Sequence, residues 1–237
     1  KRIHHLLSSK MASSIKQMLD QVMGEVGHPI QDLYFGGTNH VITSIVNRSV
    51  ANLSQQPYSK LIRQGTITMT TALAYALPDD YRYIIPDSMN AQDIQQDVVM
   101  PLNNKEWNYY KSQTSADGIR YKCRIYGGYF NFISVDAGQV INYEYVTKYA
   151  ITNSAKLIPT KERPTSDDDY FLFDDNLLIL DIVWRYGKTL GLEGWQVDKQ
   201  IFDDYEKTYR GSEAGSSTLD FSGEGDGRVE PYYPLWQ

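Results

Sequence analysis

The sequence is poor in the side chains that most often build catalytic and metal sites. Its 237 residues include one cysteine, Cys123, and four histidines, at positions 4, 5, 28 and 40. A single cysteine excludes an internal disulfide, and only the adjacent His4 and His5 are close enough in sequence to suggest joint metal binding. We therefore expect Cys123 to pack as a small apolar group, and we expect no metal ion or cofactor.

Long hydrophobic runs and an excess of positive charge are also missing. The longest apolar run, residues 177–180, is followed by Asp181 and is far shorter than the roughly 20 residues of a membrane helix. No apolar segment typical of a signal peptide follows the basic residues 1–10. The 23 Lys and Arg against 29 Asp and Glu give a net charge of −6, which argues against general nucleic-acid binding, since that requires clustered cations.

What the chain does contain is apolar and rich in tyrosine. Hydrophobic residues make up 41% of the sequence, enough for a folded core, and 19 residues are tyrosine. A tyrosine ring combines a flat apolar body with a polar tip, which suits surfaces that become buried against a partner. Many of these rings are expected simply to lie on sheet faces, but their number favours an interaction protein.

Apolar residues at helical spacing predict helices in the N-terminal quarter. The first is predicted from a cap at Ser13 or Ser14 to about Val26, and the second over residues 38–55. One or two further helical turns are predicted between Tyr58 and Gln64.

Two further helices are predicted between Asp174 and Arg210. Asp174 or Asp175 caps the first, which is apolar on nearly all sides and should therefore be central and buried. Gly187 and Gly191 bracket its end. The apolar face of the last helix comprises Trp195, Val197, Ile201, Phe202, Tyr205 and Tyr209.

A period of two predicts strands in the middle of the chain. The predicted strands are 66–73, 81–85, 119–125, 129–135 and 139–150. Gly127 and Gly128 predict a two-residue hairpin turn, and the last three strands are expected to form an antiparallel meander. A short helix carrying Trp107 and Tyr110 is expected over residues 104–113, and residues 151–169 are expected to be a polar connector.

The predicted fold class is α+β. A helical bundle is expected from residues 11–64 and 174–210, with a β-rich domain, an antiparallel sandwich or meander, inserted between them as residues 65–173. Residues 211–237 are expected to form an extended C-terminal arm.

Two sets of residues are predicted to bind partners. The arm is polar along most of its length but carries aromatic and apolar anchors near its end, an arrangement typical of a segment that folds on a partner. The predicted anchors are Phe221, Tyr232, Tyr233, Leu235 and Trp236. The second set is Arg120, Lys122 and Arg124, which alternate with apolar residues. They form either a face for an acidic partner such as the portal or nozzle, or an ordinary solvated strand face or an edge protected by charge.

Adjacent acids occur at 79–80, 167–169, 174–175 and 203–204. A carboxylate pair can hydrolyse glycosidic bonds, but neighbours in sequence rarely point at one substrate. We interpret these acids as turn residues, helix caps and solvated faces, and we expect no catalytic residues.

The order of these motifs resembles the head-to-tail adaptor family of short-tailed bacteriophages, also called tail tubular protein A or head-completion proteins. The resemblance covers roughly residues 13–210 and depends on the turn at 77–81, the tyrosine-rich strand at 142–145, residues 175–178 leading into 183–186, and residues 203–207 on the closing helix.

This resemblance implies a structural virion protein at the head–tail interface, assembled in the host cytoplasm. It implies a homo-oligomeric ring, most often a dodecamer, that links the portal protein to the tail nozzle or tubular protein. Double-stranded DNA would pass through the ring during genome ejection without specific binding, and an acidic chain suits such passage because it repels phosphate. The family also implies an arm that docks on the portal or a neighbouring subunit.

A second hypothesis is a carbohydrate-binding or cell-wall-degrading component of a phage tail. The tyrosine and tryptophan content and the paired acids are its basis, and it is compatible with the connector role.

Overall fold

A computed structural model of the chain describes residues 13–30, 33–35, 37, 40–92, 96–100, 102–112, 121–133, 136–153 and 158–213, and it is a mixed α+β fold. The helices are α1 (Ile15–Glu25), α2 (His40–Leu53), α3 (Asn104–Ser112), α4 (Asp175–Leu190) and α5 (Trp195–Glu213), with a 3-10 turn at Ser59–Leu61. The strands are β1 (Ile62–Thr68), β2 (Ala74–Ala76), β3 (Tyr81–Ile84), β4 (Asn90–Ala91), β5 (Gln96–Asp97), β6 (Cys123–Tyr126), β7 (Tyr129–Phe132), β8 (Val140–Thr147), β9 (Ile151–Thr152) and β10 (Tyr170–Phe171). The α+β class predicted from the sequence is confirmed.

Local sequence signals define the ends of α1 and α4. The Ser14 hydroxyl accepts a hydrogen bond from Gln17 N at 3.3 Å, and the Gln17 side chain accepts one from Ser14 N at 2.9 Å, which completes a capping box. Asp174 caps α4 by accepting from Asn176 N, and Gly191 ends it with a φ of 69°. The predicted caps of both helices are therefore confirmed.

Helix α4 is the centre of the first hydrophobic cluster. It contacts α1, α2 and α5, and its buried residues include Leu177, Leu178, Ile182 and Trp184. The same cluster takes in residues of β8, β9 and β10, among them Ile151. Parts of the chain predicted as β insertion thus pack with the helices, whereas the bundle-and-sandwich arrangement and the domain boundaries stay predictions.

The predicted meander is wrong, because β8 does not pair with β7. Strand β8 instead pairs antiparallel with β1, β3 and β4, while β7 pairs with β2 and β6 in a separate three-stranded sheet. A turn at residues 137–138 leads from one sheet to the other. In this turn, Gly138 N donates a hydrogen bond to Met69 O, just beyond the end of β1. The two sheets share the second hydrophobic cluster, in which the Phe130 and Tyr143 rings lie 4.8 Å apart.

Three other boundaries differ from the predictions. The helical turn expected over 58–64 is limited to Ser59–Leu61, so that β1 begins at Ile62 and ends at Thr68 instead of spanning 66–73. The connector expected over 151–169 contains β9. Helix α5 continues to Glu213, three residues into the predicted arm, because Gly211 lies within the helix without ending it.

Candidate interaction surface

Two of the basic residues predicted on the β face, Lys122 and Arg124, lie beside helix α3. The Lys122 Nζ lies 4.6 Å from the centre of the Tyr110 ring, and the Arg124 guanidinium lies 4.9 Å from the Tyr126 ring. Arg124 also donates a hydrogen bond to the Asn104 side chain at the start of α3. Both side chains stay partly exposed, so the alternatives of a partner face and a solvated strand face remain predictions, and Arg120 lies outside the described residues.

The hairpin between β6 and β7 is held in a defined shape. Tyr126 and Tyr129 are directly paired across it, and Gly127 and Gly128 have φ values of 62° and 80°, as a two-residue type I′ turn requires. The Asn131 side-chain amide donates to the carbonyl oxygens of Tyr126 and Tyr129 at 3.2 and 3.0 Å. The predicted Gly-Gly turn is confirmed.

Helix α3 is anchored beside this hairpin. Trp107 is buried and its ring meets Tyr126 edge-on, with centroids 6.2 Å apart. Asn103 accepts a hydrogen bond from Glu106 N while Glu106 accepts one from Asn103 N, so the first turn is capped in both directions. The short helix predicted over 104–113 is confirmed as Asn104–Ser112.

The outer side of α3 and the tip of the hairpin expose three aromatic rings. Tyr109, Tyr126 and Tyr129 keep 59%, 47% and 48% of their surface accessible. Together with the neighbouring ring and the two cations they form a surface that we call the hairpin patch. It comprises Tyr109, Tyr110, Lys122, Arg124, Tyr126 and Tyr129.

The hairpin patch is positively charged although the whole chain is acidic. Residues 104–112 and 122–126 contain four cations, Lys105, Lys111, Lys122 and Arg124, and one carboxylate, Glu106, which is used in the cap of α3. A basic surface with exposed aromatic rings attracts anionic groups and also favours stacking and cation–π contacts.

A second exposed apolar surface lies on α5. Of the apolar face predicted for this helix, Phe202 is buried and Trp195, Tyr205 and Tyr209 pack partly against the first cluster. Val197 and Ile201, four residues apart, keep 62% and 49% of their surface exposed. We call this pair the α5 face. Scattered exposed apolar residues are common, but two adjacent ones on one helical face form a continuous apolar area.

Asp167 lies in a turn, as expected, which Asp169 N closes by donating to Ser166 O. The prediction of a solvated face is wrong for Asp167 and Asp169, because both are buried. The Asp167 carboxylate accepts hydrogen bonds from Tyr34 N at 3.0 Å and Phe35 N at 2.9 Å. Asp169 forms an ion pair with Lys161 at 2.7 Å and accepts from Thr165 N at 2.8 Å. Burial is tolerated because amide and ammonium donors satisfy both carboxylates.

The other acidic pairs fit the expected structural interpretations. Asp80 accepts a hydrogen bond from the Tyr145 hydroxyl at 2.9 Å beside the turn where Tyr81 N donates to Pro78 O. Asp174 accepts from the Tyr205 hydroxyl besides capping α4, and Asp175 accepts from Ser13 N. Asp203 and Asp204 pair with Lys199 and Gln200 along α5.

Asp181 in α4 is another buried acid, and it does not belong to the groups of adjacent acids described above. It is fully buried, and it accepts hydrogen bonds from Trp184 Nε1 and Arg185 Nε, each at 2.8 Å. Most described acids in these groups therefore have a hydrogen-bond or ion-pair partner that explains their position, whereas Asp168 is simply exposed. The described contacts do not direct two of these carboxylates at one point.

The described residues contain no group of three His, Cys, Asp or Glu side chains placed to hold a metal ion. His4 and His5 lie outside the described residues. A polar groove of about 510 Å³ runs along α2, and its lining contains no carboxylate. The lining residues are His40, Thr43, Ser44, Asn47, Arg48, Ala51 and Arg163.

Cys123 is fully buried in the second cluster, and this burial raises the pKa of its thiol to about 12. The side chain therefore stays a protonated, apolar packing group at neutral pH, as the sequence predicts.

The predicted arm anchors, Phe221, Tyr232, Tyr233, Leu235 and Trp236, lie outside the described residues, which end at Glu213.

No sequence signal singles out Tyr109, Tyr126 and Tyr129 among 19 tyrosines, because their exposure follows from the packing of α3 beside the hairpin.

No protein-family model matches this sequence, and no curated protein matches it. Among the described residues, none of the helices combines the length and the apolar character needed to cross a membrane.

Proposed function

We propose that this chain is a ring-forming connector subunit that joins the portal of a short-tailed bacteriophage to its tail nozzle. The observation that carries the proposal is the presence of two different exposed surfaces, the hairpin patch and the α5 face. They lie on elements that pack against separate hydrophobic clusters. A closed ring is built from heterologous contacts, in which one surface of each subunit meets a different surface of the next.

The two surfaces differ in chemistry, as contacts with different neighbours require. The α5 face offers aliphatic side chains, and each fully buried valine or isoleucine contributes about 1.5–3 kcal/mol of hydrophobic free energy. The hairpin patch offers tyrosines, which are enriched where proteins bind one another. In this arrangement, neither surface needs a catalytic group.

The net charge suits a subunit that surrounds DNA without holding it. The chain carries a charge of −6, and negative charge facing a channel repels phosphate and favours rapid passage. A structural protein of the virion at the head–tail interface, often in twelve copies, is the form that the family resemblance implies.

Co-sedimentation with portal assemblies from the same virus tests this proposal. We expect the isolated chain to be monomeric or weakly associated and to form rings on the portal, seen by negative-stain electron microscopy. Removal of residues 211–237 should abolish docking while the circular dichroism spectrum shows the fold intact. Undiminished sedimentation of the truncated chain would contradict the role of the arm, and a full-length chain that ignores the portal would overturn the connector proposal.

A substitution on the α5 face separates ring contacts from folding. Val197→Asp places a charge on an exposed apolar position and should reduce ring formation by tenfold or more, since burying an unpaired charge costs several kcal/mol. Gln196→Asp, at the neighbouring exposed position of the same helix, is the matched control and should leave ring formation unchanged.

The second candidate is carbohydrate binding by a phage tail component, and the exposed rings of Tyr109, Tyr126 and Tyr129 favour it. Flat aromatic surfaces bind the apolar faces of sugar rings. A peptidoglycan pull-down and clearing assay distinguishes the candidates: binding lost in Tyr129→Ala supports this second function, and clearing lost on changing an acidic pair would overturn the expectation that the chain is not an enzyme.

A further inference from the structure

We propose that the hairpin patch receives residues 214–237 of a neighbouring copy of the chain. This inference rests on the proposed function, since it assumes that copies lie side by side, and it adds the surface on which the arm docks. Three features of the patch carry it: its charge, its exposed rings and its fixed geometry.

The charges of the two segments are complementary. Residues 214–237 contain four acids, Asp220, Glu224, Asp226 and Glu230, and one cation, Arg228. The elements of the patch have the opposite balance, because their four cations face a single carboxylate that is already used as a helix cap. In a chain with an overall charge of −6, such a local excess of positive charge selects an acidic partner.

The side chains that would meet are of matching type. The large apolar residues of the arm include its five predicted anchors, Phe221, Tyr232, Tyr233, Leu235 and Trp236. The patch presents Tyr109, Tyr126 and Tyr129 with about half of each surface still exposed. Aromatic pairs prefer offset or edge-on contacts of this kind, and the Arg124 guanidinium over Tyr126 shows that the patch accommodates stacked groups.

The patch is also preorganised, so little ordering accompanies binding on its side. Asn131 fixes the hairpin turn, the capping box of α3 fixes the first turn of the helix, and buried Trp107 joins the two elements. A rigid receiving surface leaves the ordering of the arm as the main entropic cost.

The α5 face is a poorer site for the same segment because of its charge. Residues 195–204 around Val197 and Ile201 contain three acids, Asp198, Asp203 and Asp204, and one cation, Lys199, which forms an ion pair with Asp203. The remaining excess of negative charge disfavours an acidic arm. The length of the arm does not restrict the choice, since 24 residues can span up to about 80 Å when extended.

Photo-crosslinking of the full-length chain tests this inference. Tyr129 is replaced by p-benzoylphenylalanine in one ¹⁴N-labelled and one ¹⁵N-labelled preparation, and the two are mixed before assembly on the portal and irradiation. We expect mass spectrometry to find cross-links from position 129 to peptides within 214–237, with the two ends carrying different isotopes. The same probe at Val197 should capture the arm much less.

Charge reversal tests the electrostatic part. Lys105→Glu combined with Lys111→Glu, both at exposed positions of α3, should lower the yield of this cross-link about tenfold. Lys207→Glu on α5 is the matched control and should leave the yield unchanged. High salt should reduce the yield in the unmodified chain.

These experiments separate a failure of the arm-docking inference from a failure of the connector proposal. Rings that form on the portal without a cross-link between position 129 and the arm would overturn this inference and leave the connector role intact. Cross-links found only within one isotope would show that the arm binds its own chain and would overturn the exchange between copies. Cross-linking between copies of a chain that never joins the portal would support the inference and contradict the connector role.

Discussion

Asp167 and Asp168 are neighbours in the chain with opposite surroundings. Asp167 is 6% exposed and accepts hydrogen bonds from two backbone amides more than 130 residues away, whereas Asp168 is exposed. Hydrogen bonds to a buried carboxylate are charge-assisted, and their loss leaves donors without a strong acceptor. The run of three acids therefore contains one residue that orders the fold beside one that does not.

We predict that Asp167→Asn lowers the free energy of unfolding by about 1–3 kcal/mol, because an amide oxygen accepts more weakly and its NH₂ group faces other donors. Asp168→Asn, the matched control, should change it by less than about 0.5 kcal/mol. Urea unfolding followed by tryptophan fluorescence measures both. Equal effects of the two substitutions would show that the Asp167 hydrogen bonds do not stabilise the fold.

Residue-level features were predictable where their partners are close in sequence. The caps at Ser14 and Asp174 bond within three residues, and a local pattern is enough to find them. The burial of Asp167 depends on contacts with Tyr34 and Phe35. These residues are so far from Asp167 in sequence that no local pattern predicts the contact. The exposure of the tyrosines in the hairpin patch could not be predicted for the same reason, because it depends on how α3 packs beside the hairpin.

Helices and the hairpin followed from the sequence better than the sheets did. An amphipathic helix carries its own hydrogen bonds, so its periodicity is sufficient to predict it. Strand β8 shows why the sheets were harder to predict. Its alternation of buried and half-buried residues predicts a strand but does not indicate which strands pair with it. Its pairing with β1 joins residues about 80 positions apart, and the assumption that consecutive strands pair led to the incorrect meander.

The two glycines of the hairpin are predicted to be unequal in their tolerance of substitution. Gly127→Asn should be nearly neutral, because asparagine adopts the left-handed region at φ near 62°. Gly128→Val should destabilise the chain by about 1–2 kcal/mol, since a β-branched residue is strained at a φ of 80°. Thermal unfolding compares the two variants with the unmodified chain, and a tolerated valine would contradict the type I′ turn.

At the scale of the whole molecule, the buried tyrosines together predict that the folded state loses stability at alkaline pH. Burial is the main cause that raises the pKa of Tyr58 and Tyr81 to about 12, with the Glu206 charge a second cause at Tyr58. Burial and then the hydrogen bond to Asp80 raise the pKa of Tyr145 further. The folded state therefore favours protonated phenols relative to the unfolded chain, where the pKa is about 10.

Because the folded pKa is raised, the stabilisation is fully present below about pH 10 and is lost as pH rises toward 12. We predict that the urea midpoint is steady near pH 8–9 and falls steadily above pH 10. Tyr81→Phe should reduce this fall, because it removes one ionising group from the second cluster. A midpoint that rises above pH 10 would contradict the burial of these phenols.

The pairing of β1 with β8 has a further consequence for how this chain can change. Ile62 lies directly opposite Val146, and Leu61 and Val146 both belong to the first hydrophobic cluster. The chain thus leaves the helices and returns to them at one pair of adjacent residues. The intervening stretch touches the helical part again at Tyr83, whose hydroxyl donates to Gln55 O at 3.0 Å. Residues added or removed in loops of the portion that packs in the second cluster would leave these attachment points, and the mutual positions of the helices, unchanged.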